Sequence, residues 1–141
     1  KILTPNLPPV HASPSELQQV LLNLVINADD AIGHEGGTVT VITDLEQDGT
    51  VVLRISDTGE GIPEANLERI FDPFFTTKPV GQGTGLGLSI CYGIVDKLGG
   101  RITVESEVGV GSIFSIYLPA GPRNAAQSDP GKGTEQRGDT P

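Results

Sequence analysis

The sequence predicts an α/β protein in which helices pack on one face of a mixed, mostly antiparallel sheet. Three observations predict it. A capped amphipathic helix opens the chain, two β-rich runs fold around glycine turns as hairpins, and a second apolar helical run lies between those hairpins. Hairpins in this order, without strand–helix–strand alternation, exclude a doubly wound parallel sheet.

Each element carries its own signal. "KILTPNLPPV" reads as the end of a strand followed by a proline-punctuated turn. In "SPSELQQVLLNLVINADDAIG", Ser13 and Glu16 form a capping-box pattern with Pro14 at the first helical position. Leu17, Val20, Leu21, Leu24, Ala28 and Ile32 then recur at helical spacing, and Gly33 is the stop. "TVTVITDLEQDGTVVLRISDTG" is a hairpin around Gln47-Asp48-Gly49. A short helix is expected over 64–70 after Pro63, then a loop holding three phenylalanines. A helix over 86–98 ends at Gly99-Gly100, and "RITVESEVGVGSIFSIYLP" is a second hairpin turning at 109–111. "GPRNAAQSDPGKGTEQRGDTP" lacks periodicity and large apolar residues, so residues 121–141 read as a disordered tail and 1–120 as the one domain.

Composition narrows the function classes. No apolar run approaches the roughly 18 residues of a membrane span, and no signal-peptide pattern opens the chain. The lone cysteine, Cys91, excludes an internal disulfide and a cysteine-built zinc site and fits a reducing, cytoplasmic compartment. Net charge is −9. Beyond residue 121, Arg123, Lys132 and Arg137 balance Asp129, Glu135 and Asp139, so the acidity belongs to the body. An acidic body argues against nucleic-acid binding, which needs clustered Lys and Arg.

Five stretches carry chemistry. "GQGTGLGLSI" (81–90) has glycines at alternate positions and runs into a helix, an arrangement suited to phosphate at a helix N-terminus or simply to a flexible connection. It matches neither the Walker loop nor the dinucleotide fingerprint. Asn23 and Asn27 lie one turn apart at the edge of the apolar arc, suited to structural hydrogen bonds or to a hard cation such as Mg²⁺. "ISDTGEGIP" puts Asp57 at a strand end. It reads as a turn, or as a carboxylate accepting from an exocyclic amine, with Gly59 and Gly61 admitting a flat ring above Ile62. "FDPFFTTK" offers phenylalanines for packing, then Thr76, Thr77 and Lys78 for a triphosphate. "GVGSIF" reads as a hairpin turn with Ser112 in reach of the pocket.

In this order and spacing, the motifs resemble the catalytic, ATP-binding domain of sensor histidine kinases, within the superfamily that includes gyrase and MutL. "LLNLVINADDAI" is similar to the N box, "DTGEGIP" to the G1 box, "FDPFFTTK" to the F box and "GQGTGLGLSI" to the G2 box. The resemblance spans residues 1–119. It implies the Bergerat fold, a two-layer α/β sandwich holding ATP beneath a lid. By position, it implies Mg²⁺ at Asn27 with Asn23 nearby, and adenine N6 at Asp57 with Gly59, Gly61 and Ile62 along the ring. Phosphates would lie at Gly83, Thr84, Gly85, Leu86 and Gly87, with Lys78 as the cation. Asp30 and Ala31 depart from the family's usual Lys and aromatic residue, and the "NADDAI" variant resembles the nitrogen-regulatory branch.

Gyrase-like relatives hydrolyse ATP with a Glu where this chain has Asn23. An amide cannot take a proton from water, so Asn23 favours transfer over hydrolysis. Neither His11 nor His34 sits in a helical phosphoacceptor motif. The resemblance therefore implies a monomeric fragment of a homodimeric parent kinase, which is the cytoplasmic part of a sensor. Its acceptor histidine lies on dimerisation helices upstream of Lys1, with a response regulator downstream. An anti-sigma-factor-type serine kinase and a non-catalytic nucleotide-binding module are the alternatives.

Overall fold

The computed structural model describes residues 1–76 and 86–121. Helix α1 (Pro14–Ile32) starts where the capping box requires: the Glu16 N–H donates to Ser13 Oγ at 3.2 Å, and the Ser13 N–H donates to Glu16 Oε1 at 3.5 Å. Val20, Leu24 and Ala28 form its buried stripe, each four residues apart. Leu21, expected on that stripe, stays 37% exposed. Gly33 ends the helix at φ 72°, leading into a 3₁₀ turn, Gly33–Glu35.

Strands β1 (Val39–Leu45) and β2 (Val51–Asp57) form the first hairpin. Its turn is closed by the Glu46 N–H on the Thr50 carbonyl at 2.9 Å and by the Thr50 N–H on Asp48 Oδ1 at 2.9 Å. Helix α2 is only Glu64–Leu67. The expected helix to residue 70 gives way to turns, in which the Arg69 N–H donates to Asn66 and the Asp72 N–H to Arg69. That tightening brings Ile70 into the core at 7% exposure.

Helix α3 (Gly87–Lys97) is followed by β3 (Arg101–Glu107) and β4 (Gly111–Leu118). The sheet order is β1-β2-β4-β3, every neighbouring pair antiparallel. The parallel component is a bridge between Ile2 and Ile42, where the Ile2 N–H donates to the Val41 carbonyl at 2.9 Å. Helices α1 and α3 pack on one face of this sheet. Val20, Leu24, Cys91 and Val95 meet Ile55, Phe114 and Ile116 there to form the core. The two-layer sandwich expected from the sequence is the observed architecture.

Candidate functional site: a cleft at the end of strand β2

The β2–β4 register sets Asp57 opposite Ser112 at the end of the two central strands. The C-terminal half of α1, the loop after β2, the turns after α2 and the start of α3 converge on the same end. Together they enclose a cleft of about 520 Å³. That volume lies within the range of small-ligand sites.

Asp57 is 4% exposed. Its Oδ1 accepts from the Gly59 N–H at 2.8 Å, while Oδ2 is fully buried without a hydrogen-bond partner. A buried carboxylate oxygen left unpaired is costly, so this atom marks where a donor is wanted.

The loop carrying it is clamped on two sides. The Glu60 N–H donates to the Ala31 carbonyl at 3.0 Å, and the Gly109 N–H to the Glu60 carbonyl at 2.8 Å. A Cβ at Gly59 would sit 2.5 Å from the Ala31 backbone, and one at Gly61, where φ is +79°, would sit 2.3 Å from the Glu107 carbonyl oxygen. These glycines permit close chain-to-chain approach, and Gly61 lines the cleft as well. The small side chain of Ala31, a departure from the family pattern, lies where a Gly59 Cβ would come within 2.8 Å of it.

Among the expected site residues, Asn27, Asp57, Gly61, Ile62, Thr76 and Ser112 line the cleft. Asn23, Gly59, Leu86 and Gly87 lie off its wall. Asn23 instead directs Nδ2 to the Gly87 carbonyl at 3.4 Å, tying α1 to the start of α3, while the Cys91 thiol donates to the Val20 carbonyl at 3.7 Å. Thr77, Lys78, Gly83, Thr84 and Gly85 lie outside the described residues.

Sequence reasoning did not place Glu60, Pro63, Asn66, Ile70 and Leu88 on the wall, although they line it too. Glu60 and Pro63 sit inside "ISDTGEGIP" and Leu88 inside "GQGTGLGLSI", whereas Asn66 and Ile70 had no legible signal. The three phenylalanines divide. Phe71 packs edge-on to Phe114 with ring centroids 6.5 Å apart, Phe75 lies under the Arg69 guanidinium at 4.5 Å, and Phe74 is 72% exposed at φ 69°. Leu86, the cap residue of α3, makes no side-chain capping bond.

The family described as histidine kinase-, DNA gyrase B-, and HSP90-like ATPase matches residues 12–122. Sensor kinase CckA of Brucella abortus is 48% identical over 125 residues, covering 79% of this chain and 13% of CckA, so the chain spans a small part of that relative's length. The mycobacterial sensor histidine kinase MprB superposes with a TM-score of 0.75 at 31% identity, covering 86% of this chain and 82% of that one. Full-length ShkA in complex with AMPPNP superposes with a TM-score of 0.73 at 32% identity, over 84% of this chain and 24% of that one. With a nucleotide-sized cleft ending on an unpaired buried carboxylate, and with these matches across the described body, the chain belongs to the histidine kinase-, DNA gyrase B-, and HSP90-like ATPase family and matches its sensor histidine kinase catalytic domains.

Proposed function

We propose that this chain is the catalytic domain of a two-component sensor histidine kinase. It binds Mg-ATP in the cleft and passes the γ-phosphoryl group to a histidine on the dimerisation helices of a homodimeric parent protein, upstream of a response regulator. The observation that carries this reading is Asp57 Oδ2, a buried acceptor without a partner on a residue lining a cleft of about 520 Å³. Adenine supplies the missing donor through its exocyclic amine.

Among the described residues, no group of three His, Cys, Asp or Glu side chains could hold a metal. Mg²⁺ keeps several waters and is held mainly through substrate phosphates, with the Asn27 amide oxygen as the protein contact in this reading. The metal would screen phosphate charge in this acidic domain. Asn27 orients it, and the first turn of α3 meets the phosphates together with Gly83, Gly85 and Lys78. Asn23 holds α3 against α1 and supplies no base for water. Phosphoryl transfer needs mainly positioning and charge stabilisation, and an amide at position 23, which cannot activate water, suits transfer to an imidazole. Among the described residues, no helix is long and apolar enough to cross a membrane. Use of ATP fits a domain on the cytoplasmic side of the parent sensor.

Calorimetric titration of the chain with ATP, in the presence of Mg²⁺ and again with EDTA, tests the reading. Saturable heat that weakens on chelation is the expected result, and absence of heat with ATP under both conditions would overturn it.

A further inference from the structure

Behind the cleft wall, Ser106 of β3 joins three separate segments through one hydroxyl. Its Oγ accepts from the Ile62 N–H at 2.7 Å, donates to the Gly111 carbonyl at 3.0 Å and lies 2.7 Å from Ser112 Oγ. A serine hydroxyl has one proton and two lone pairs. The Ile62 N–H can only donate and the Gly111 carbonyl can only accept, so these bonds use the Ser106 proton and one lone pair. The second lone pair takes the Ser112 proton. Direction along the chain is thereby set: Ser112 donates to Ser106, and Ser106 donates to Gly111.

Ser112 is 4% exposed, lines the cleft and stands opposite Asp57 in the β2–β4 register. With its proton committed, Ser112 offers a ligand lone pairs only. Asp57 Oδ2, across from it, is an acceptor as well.

We infer that Ser106 is a positioning residue for base selection: by holding the Ser112 proton it keeps this end of the cleft acceptor-only, favouring a purine with an exocyclic amine over one with a carbonyl at that position. The inference rests on the reading of the cleft as a purine-nucleotide site. An amine brings two N–H donors to two acceptors. A carbonyl brings a third acceptor in place of those donors and leaves Asp57 Oδ2 without a donor from that position. Without the Ser106 hydroxyl, the Ser112 O–H is released to rotate and can donate to a carbonyl base.

The test compares Mg-ATP and Mg-inosine triphosphate binding to the chain by calorimetry, for wild type, Ser106→Ala and Ser106→Thr. Ser106→Ala should weaken ATP binding. It should also shrink the preference for ATP over inosine triphosphate by roughly three- to tenfold, the net worth of about one hydrogen bond. Ser106→Thr, which keeps the hydroxyl, should restore the preference. If Ser106→Ala does not fold, Ser106→Cys keeps nearly the same shape with a weak thiol donor and should show the same direction of change. Equal weakening toward both nucleotides, with the preference unchanged, would show that Ser106 only braces the loop and would overturn the inference. Failure of the wild type to bind ATP at all would instead overturn the nucleotide reading on which it rests.

Discussion

Asp57 and the glycines around it show how differently single positions are constrained in this cleft. Asp57 Oδ2 is buried without a partner, whereas Oδ1 is satisfied by the Gly59 N–H. Asp57→Asn can place an NH₂ donor where adenine's amine also donates. ATP binding should weaken by about 1–3 kcal/mol, read by calorimetry, while the melting temperature without nucleotide stays within a few degrees of wild type. Two glycines with similar φ should respond unequally to alanine. At Gly61 a Cβ would overlap the Glu107 carbonyl at 2.3 Å, whereas at Gly33 nothing lies within 4 Å. Gly33→Ala should cost about 1–3 kcal/mol from the backbone alone, because φ 72° with ψ −155° is a conformation essentially restricted to glycine. Gly61→Ala should add about 1–3 kcal/mol of overpacking, both read from urea unfolding midpoints.

Helix α1 is the element on which both core and cleft depend: one face carries Val20, Leu24 and Ala28, and its edge carries Asn23 and Asn27. Its first turn is held by Ser13 and by Glu16, whose carboxylate also pairs with Lys97 at the end of α3. That ammonium keeps the Glu16 carboxyl below its ordinary range. Ser13→Ala should lower stability by about 1 kcal/mol in denaturant unfolding, the usual worth of a cap. Between α1 and α3, burial pushes the Cys91 thiol up to about 11, against a smaller opposing effect of the Asn23 hydrogen bond. Unfolded chains lose that proton first as pH rises, so the stability due to the buried thiol is complete below its ordinary value of 9.0 and is lost on approaching about 11. Unfolding free energy should therefore fall through this window, and Cys91→Ala should flatten the fall.

At the scale of the whole molecule, the proposed function requires a partner to receive the phosphoryl group. Both histidines are exposed: His11 precedes the α1 cap, and His34 lies in the 3₁₀ turn after that helix. Incubated alone with labelled Mg-ATP, the chain should acquire no acid-labile phosphate. Mixed with a separately produced helix pair bearing the parent protein's acceptor histidine, it should label that partner. Label on His11 or His34 would remove the case for a separate acceptor.

Local sequence was sufficient wherever a signal and its consequence lie within one element. Ser13-Pro14-x-Glu16 determined where α1 begins, Asp48-Gly49 where the first hairpin turns, and the order of five motifs determined the family. It also offered Asp57 and Ser112 as pocket residues beside their reading as turns, and both line the cleft. Tertiary structure decided what depends on close approach between distant segments. Gly59 and Gly61 read as space for a ring, yet the first faces the Ala31 backbone and the second the Glu107 carbonyl. Asn23 and Asn27 share one helix edge, but only packing against α3 turned Asn23 toward Gly87 and left Asn27 on the cleft. Ser106 carried no signal of its own, since its role exists only once Ile62, Gly111 and Ser112 surround it. The physical reason is range: capping and turn chemistry act over a few residues, whereas steric fit and hydrogen-bond direction depend on partners brought together only when the sheet and helices pack.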